Sequence, residues 1–189
     1  SISLSPTQSG APVFPNILSS LTIPSGVLFN FTTMDPNMQN AYSNQASLEI
    51  EQRLGRKSSL SVGYQHVRGL RLIVQINQNV PTCAASGSNN GCRPNPNYAN
   101  NSQYSPRADS RYDGLHLSFV QQPVSFGSFR LSYTYSKALD NVGEFFFSSP
   151  LNPYNIWQDY GRSDDDQRHR FVVDGEVHTR LEKGVTPLQ

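Results

Sequence analysis

The chain has 189 residues, 36% of them hydrophobic and only 15% charged, and its fifteen basic and fourteen acidic side chains leave a formal charge of +1. That balance offers no electrostatic footprint for nucleic acid, and the length suits one ordinary domain with a sizeable core. No window approaches about 18 consecutive apolar residues, which excludes a transmembrane helix but not a membrane β-barrel, whose strands carry a much weaker signal.

The polar remainder is mostly Ser, Asn, Gln, Thr and Tyr, and the aromatics are 9 Tyr and 10 Phe against 1 Trp. Uncharged polar residues with strand-favouring aromatics suit a secreted or outer-membrane β protein. The chain starts at Ser1, without a charged-then-apolar leader, and ends in "GVTPLQ". It reads as an internal piece of a longer protein.

The dominant period is two, so the expected fold is all-β. "GVLFNFTTM" offers a first short strand with Val27, Phe29 and Phe31 in phase. "ASLEIEQRL" follows, with Ala46, Leu48, Ile50 and Leu54 on one face and Ser47, Glu49, Glu51 and Arg53 on the other. "GRKS" is a tight turn into a long strand. There Leu60, Val62, Tyr64, Leu70, Leu72, Val74 and Ile76 share a face opposite Ser61, Gln65, Arg71 and Gln75. His66 and Arg68 interrupt that apolar face. Either the apolar band ends at Tyr64, or a bulge at Gly69 changes the phase.

A loop over about 78–110 comes next. It holds "CAASGSNNGC", where Cys83 and Cys92 flank a Gly/Ser/Asn-rich stretch. Two cysteines closing a short polar loop predict a disulfide and an oxidising compartment, with two free thiols as the alternative. No further His or carboxylate stands near enough to make a metal site. "RPNPNY" reads as an extended, proline-stiffened loop.

"YDGLHLSFVQQ" alternates Leu115, Leu117 and Phe119 against His116, Ser118 and Gln122. "PVSFGS" turns the chain into "FRLSYTYSK", with Phe129, Leu131, Tyr133 and Tyr135 opposing Arg130, Ser132, Thr134 and Ser136. A second long loop spans about 138–167. It carries two aromatic groups, Phe145, Phe146 and Phe147, then Tyr154, Trp157 and Tyr160, which form a candidate ligand platform or a loop core. The last strand is "RFVVDGEVHTRL". Phe171, Val173 and Val177 face one way, and Arg170, Asp174, Glu176, His178 and Arg180 the other.

Short turns near 55–58 and 123–128 alternate with loops of about 30 residues. Such loops are rare in compact soluble domains. Short turns at one end and long loops at the other is the asymmetry of an outer-membrane barrel. Tyr42, Tyr64, Tyr133 and Tyr135 stand near the long-loop ends, at the height of an aromatic girdle. Alternation alone leaves a secreted β-sandwich binding module open.

The cluster Asp164-Asp165-Asp166-Gln167-Arg168-His169-Arg170 contains the residue types of acid–base or cation chemistry. Consecutive residues of an extended chain point to opposite faces, so the three aspartates do not converge. The expected role is a junction between loop and strand, with the aspartates paired to Arg168, Arg170 or nearby loops. No phosphate loop, nucleophile elbow or metalloprotease motif is present. Neither an enzyme, nor a cofactor, nor a metal is expected.

Six blocks in order, "MDPNMQNAYSNQASLEIEQRLG", "LSVGYQHVRGLRL", "RPNPNY", "YDGLHLSF", "LSYTYSKALDN" and "YGRSDDDQRHRFV", resemble the barrel of TonB-dependent outer-membrane receptors. The likeness is to the Oar-like group, whose members usually carry a carboxypeptidase-regulatory-like domain. It covers most of residues 34–177. The resemblance implies that residues 1–189 are part of a large transmembrane barrel, an antiparallel meander of about six strands with the plug and the rest of the barrel absent. It also implies uptake of a bulky ligand, energised by TonB through the plug region. The implied partners are outer-membrane lipid and lipopolysaccharide, TonB and an unknown extracellular ligand. A non-transporting surface or adhesion protein on the same barrel is the rival.

Overall fold

The computed structural model describes residues 28–83, 89–125, 127–141 and 149–178, together with Pro15 and Gly143. Phe145, Phe146 and Phe147 lie outside the described residues. Among the described residues, seven strands form one sheet: β1 (Phe31–Met34), β2 (Tyr42–Arg53), β3 (Ser58–Asn77), β4 (Asn101–Val124), β5 (Gly127–Asp140), β6 (Gly161–Arg162) and β7 (His169–Val177). Their hydrogen-bonded order is β2-β3-β4-β5-β6; β7 also pairs with β5, and β1 pairs with β4. The pairings of β5 with β4, β6 and β7 are antiparallel. Pairing of β1 with β4 is parallel, from Phe31↔Asn101 to Met34↔Tyr104, a departure from a pure meander.

Two short turns make the hairpins. Leu54 N–H donates to the Ser58 carbonyl, 3.0 Å, closing β2 onto β3. At the other, Gly127 has φ 145°, and a side chain there would run into the Glu176 carbonyl of β7, so only glycine fits.

β3 has the span expected for it, 20 residues, while β4 exceeds its expected span with 24; both are longer than the 9–11 or so that cross a bilayer. The first half of β4, which alternation alone assigns to a loop, is a strand because β1 and β5 supply backbone partners. The connections therefore shrink to residues 78–100 and 141–160.

The chain divides into two compact units. The first holds Ser1–Tyr42, Leu70–Asp109 and Asn141–Tyr160; the second holds Ser43–Gly69, Ser110–Asp140 and Gly161–Gln189. In the first, Val74, Ile76, Ala108 and Ile156 form a small buried core. It depends on a phase change in β3. Arg71 has φ 57°, a left-handed residue within a strand, which marks a bulge. The alternation breaks at Arg71, not at Gly69, and Val74 and Ile76 turn to Ala108 and Ile156. The Arg71 guanidinium lies 5.4 Å from the centre of the Tyr42 ring.

Candidate functional site

In the second unit, strand register sorts every side chain onto one of two faces. Leu115↔Tyr135↔His169, Leu117↔Tyr133↔Phe171 and Phe119↔Leu131↔Val173 are successive rows on one face. The opposite face holds His116↔Thr134↔Arg170, Ser118↔Ser132↔Val172 and Val120↔Arg130↔Asp174. Glu49 and Gly63 belong to this polar face, since a side chain at Gly63 would meet both His116 and Glu49. The faces expected for Phe171, Val173, Arg170 and Asp174 are thus the observed ones.

The apolar face is uncovered. Leu48 is 67% exposed, Phe171 66% and Val173 58%. A sandwich would press this face against a second sheet; the described residues form only one. Leaving such a face in water is costly, at roughly 25 cal/mol per Å² of apolar surface. A lipid face removes that cost. The band also has the right height. From Tyr135 down to Gly127, β5 rises about 27 Å at roughly 3.4 Å per residue, or about 20 Å at a tilt near 40°. Barrel bands are about 25 Å tall.

The band has an upper edge. Tyr64, Tyr135 and His169 stand there. The Tyr133 hydroxyl lies 2.8 Å from His169 Nδ1, and the rings of Tyr135 and His169 are 5.2 Å apart. Immediately beyond, the same face turns charged. Asp113 accepts from the Tyr64 hydroxyl at 2.6 Å and from Arg111 Nε at 2.7 Å, and His66 Nδ1 is 2.7 Å from its Oδ1. Lys137 is the register partner of Asp113. The interruption at His66 and Arg68 is therefore the end of the band, with the bulge a separate event at Arg71.

The aspartate-rich stretch is a bulged turn inserted into one strand line. β6 pairs Arg162↔Leu139 and Gly161↔Asp140, and β7 resumes at His169↔Tyr135. Between them the Asp166 N–H donates to the Ser163 carbonyl, 3.0 Å. Asp166 then turns inward, with its side chain 1% exposed, and accepts the Ala138 N–H at 2.7 Å. Arg162 Nε at 3.2 Å and Arg168 at 3.4 Å complete its surroundings. The Ala138 N–H first, then the two guanidinium charges, hold this carboxyl below the usual carboxylate range. Ser136 contributes two more clasps, its N–H to the Arg168 carbonyl at 3.1 Å and its hydroxyl to the Gln167 carbonyl at 2.8 Å. Asp164 and Asp165 remain exposed. The three aspartates do not converge, and among the described residues no group of three His, Cys, Asp or Glu side chains is placed to hold a metal.

In the first unit, the described parts of the connection after β3, residues 78–83 and 89–100, are folded back on one another. Asn79 is fully buried (0% exposed). Its amide donates to the carbonyls of Asn95, Tyr98 and Ala99 at 2.9, 3.1 and 2.8 Å, and its Oδ1 accepts the Asn95 N–H at 2.8 Å. Arg93 donates to the Ala99 carbonyl at 2.8 Å. "RPNPNY" is therefore a clasped loop, and Tyr98 packs on Phe31 with ring centres 4.5 Å apart. Cys83 and Cys92 are joined by a disulfide, with Cα atoms 5.7 Å apart.

The second connection is anchored by one residue. Ile156, in the 3₁₀ turn Ile156–Asp159, is buried in the core, while Leu151, Tyr154 and Trp157 are exposed around it. The Tyr154 hydroxyl donates to the Val80 carbonyl at 3.0 Å, tying the two connections together. The Trp157 and Tyr160 rings lie 5.6 Å apart at 52°, a tilted pair and not a flat shelf. Asn79, Arg93, Ile156 and Asp113 are structurally central yet invisible to pattern reading. Only the density of Asn in "NQNVP" and "NPNYANN" signals a hydrogen-bonded loop.

A family model described as an outer membrane beta barrel domain matches residues 2–186. No curated protein matches. Among solved structures, the chain is similar to the outer membrane transporter YddB from Escherichia coli, at 12% identity and a TM-score of 0.40. That similarity covers 57% of this chain, and the chain spans 13% of the transporter's length.

Proposed function

Because the chain belongs to the outer membrane beta barrel domain family, we propose that it forms part of the wall and the ligand-facing loops of a receptor that imports a bulky ligand across the bacterial outer membrane with energy from TonB. Its place is the outer membrane. In this reading Leu117, Leu131, Phe171 and Val173 meet lipid, and Glu49, His116, Arg130, Arg170 and Asp174 line the lumen. The connections over 78–100 and 141–160 stand at the strand ends opposite the short turns, which is the extracellular side of such a barrel. Tyr154, Trp157 and Tyr160 are the proposed ligand contacts. The chain binds and guides and performs no covalent chemistry.

The observation that carries this reading is the pair of structured connections. Each is built around a buried anchor, Asn79 or Ile156, while Leu151, Tyr154 and Trp157 stay exposed. A connection serving only to join strands needs no such scaffold. The ordered resemblance to TonB-dependent receptors supplies the energy source. Deleting tonB and deleting the gene for this protein should abolish uptake of the same nutrient, with surface binding retained in the tonB strain. An adhesin on the same barrel would show a binding phenotype indifferent to tonB.

A further inference from the structure

We propose that the second connection presents a binding site for a neutral oligosaccharide, with Tyr154 and Trp157 stacking on sugar rings and Asn155 and Gln158 meeting their hydroxyls. The site rests on the uptake reading above and names the chemical class of its ligand. All four side chains are exposed in one short stretch around the buried Ile156.

Charge is what the two connections lack. Across residues 78–100 and 141–160 the sequence has three charged side chains, Arg93, Glu144 and Asp159, and Glu144 lies outside the described residues. The other two are committed to the loop scaffold. Arg93 donates to the carbonyls of Asn79 and Ala99 and to Asn100 Oδ1, and Asp159 Oδ2 accepts the Leu151 N–H at 2.8 Å. A charged ligand would lose hydration here without gaining a counter-charge. A ligand recognised through hydroxyls and C–H faces meets no such cost.

The order of side chains matches a sugar. Tyr154-Asn155 and Trp157-Gln158 each set an aromatic ring beside an amide, with Ile156 holding the turn between them. A pyranose has the same two chemistries, apolar C–H faces and a rim of hydroxyls that both donate and accept. Tyr and Trp rings cover the first, and carboxamides, which also donate and accept, answer the second. A wholly apolar ligand would leave those amides unpaired. The rings are held in place before binding, which lowers the ordering cost. Tyr154 is 60% exposed although its hydroxyl is tied to the Val80 carbonyl, and Trp157 is 55% exposed beside Tyr160. The planes of Trp157 and Tyr160 differ by 52°, which suits neighbouring puckered rings of a chain and not one flat aromatic ligand. Asn155 makes no side-chain cap to the turn that follows it. Gln158 accepts from Asn152 at 3.0 Å through Oε1, a bond that uses its acceptor and not its N–H donors.

The test uses the intact outer-membrane protein containing this chain, purified in detergent, and isothermal titration calorimetry. The probes are neutral linear hexasaccharides of glucose, xylose, mannose and galactose, an oligogalacturonate of equal length as the anionic arm, and an apolar hexapeptide. At least one neutral hexasaccharide should bind, and more tightly than the anionic and peptide arms. Trp157→Ala should weaken it about tenfold, while R56Q, in the opposite turn, should bind normally. N155D/Q158E keeps both rings and the acceptor that Asn152 uses, so it covers the case in which Trp157→Ala disturbs the turn; it too should lose about tenfold. Binding of no neutral hexasaccharide, tighter binding of the oligogalacturonate or the peptide, or an affinity unchanged in both variants would overturn the proposal. Growth on the bound sugar that is indifferent to loss of tonB would instead sink the import reading and leave the site standing.

Discussion

The two units are stabilised by opposite means. Among the described residues, Val74, Ile76, Ala108 and Ile156 are the buried hydrophobics, and all belong to the first unit. That unit also has a buried asparagine, a disulfide and an aromatic pair, the equipment of a small domain in water. Among its described residues the second unit buries no hydrophobic side chain: Leu48, Leu115, Leu117, Phe171 and Val173 are exposed. One sheet thus carries two solutions to the same problem. Where the surroundings are aqueous, apolar groups must find each other; where they are hydrocarbon, a single layer suffices.

That contrast is open to direct attack. The largest effect is expected from Ile156→Ala, which removes the anchor of the second connection. It should cost about 2–5 kcal/mol of local stability, read by hydrogen exchange over residues 149–160, and equally in detergent and in vesicles. If exchange there is unchanged, the first unit has no working core.

Next comes Leu131→Arg, in the Phe119–Leu131–Val173 row of the apolar face. Urea unfolding from phospholipid vesicles should show a loss of about 2–4 kcal/mol. Ser132→Arg, one position away on the polar face, should change stability by about 0.5 kcal/mol or less. Equal losses would mean that the two faces are not lipid and lumen.

Asn79→Ala removes the side-chain partner of the Asn95 and Tyr98 carbonyls and of the Asn95 N–H, and leaves the Ala99 carbonyl with Arg93. It should cost about 1–3 kcal/mol, and limited proteolysis within residues 93–100 should accelerate without any change in the second unit.

The smallest expected effect is pH-dependent. The carboxyl of Asp166 is held below its usual value, so its contribution is fully present above the unfolded value, about 3.9. It is lost as pH falls below that through the folded value. The protection factor of the Ala138 amide should drop across that acid range in the native protein and be flat in Asp166→Asn. A flat native profile would place the turn's stability elsewhere.

How much of this could be read in advance depended on the kind of force involved. Faces were legible because alternation is a property of consecutive residues: Leu115, Leu117 and Phe119 declare their side whatever they pair with. The first half of β4 was not. "NSQYSPRADSR" has no apolar alternation, and Pro106 argues against a central strand. The residue sits between the last β1 pairing at Tyr104 and the first β5 pairing at Ser110, so neither of those strands calls on its missing N–H. Of the aspartate triplet, the sequence identified a loop-to-strand junction but could not single out Asp166, whose partner Ala138 is 28 residues away.

By itself the sequence determined which side chains share a face, where the apolar band lies and that its strands are joined by short turns and long connections. These follow from the two-residue period and from turn chemistry, both local. Only the tertiary structure decided that the alternation of β3 breaks at Arg71, that the band closes on Asp113, that Asn79 and Ile156 anchor the connections and that Asp166 clasps a turn. Each of those depends on a partner distant along the chain, and a backbone donor or a packing surface leaves no mark in the sequence until the fold brings it near.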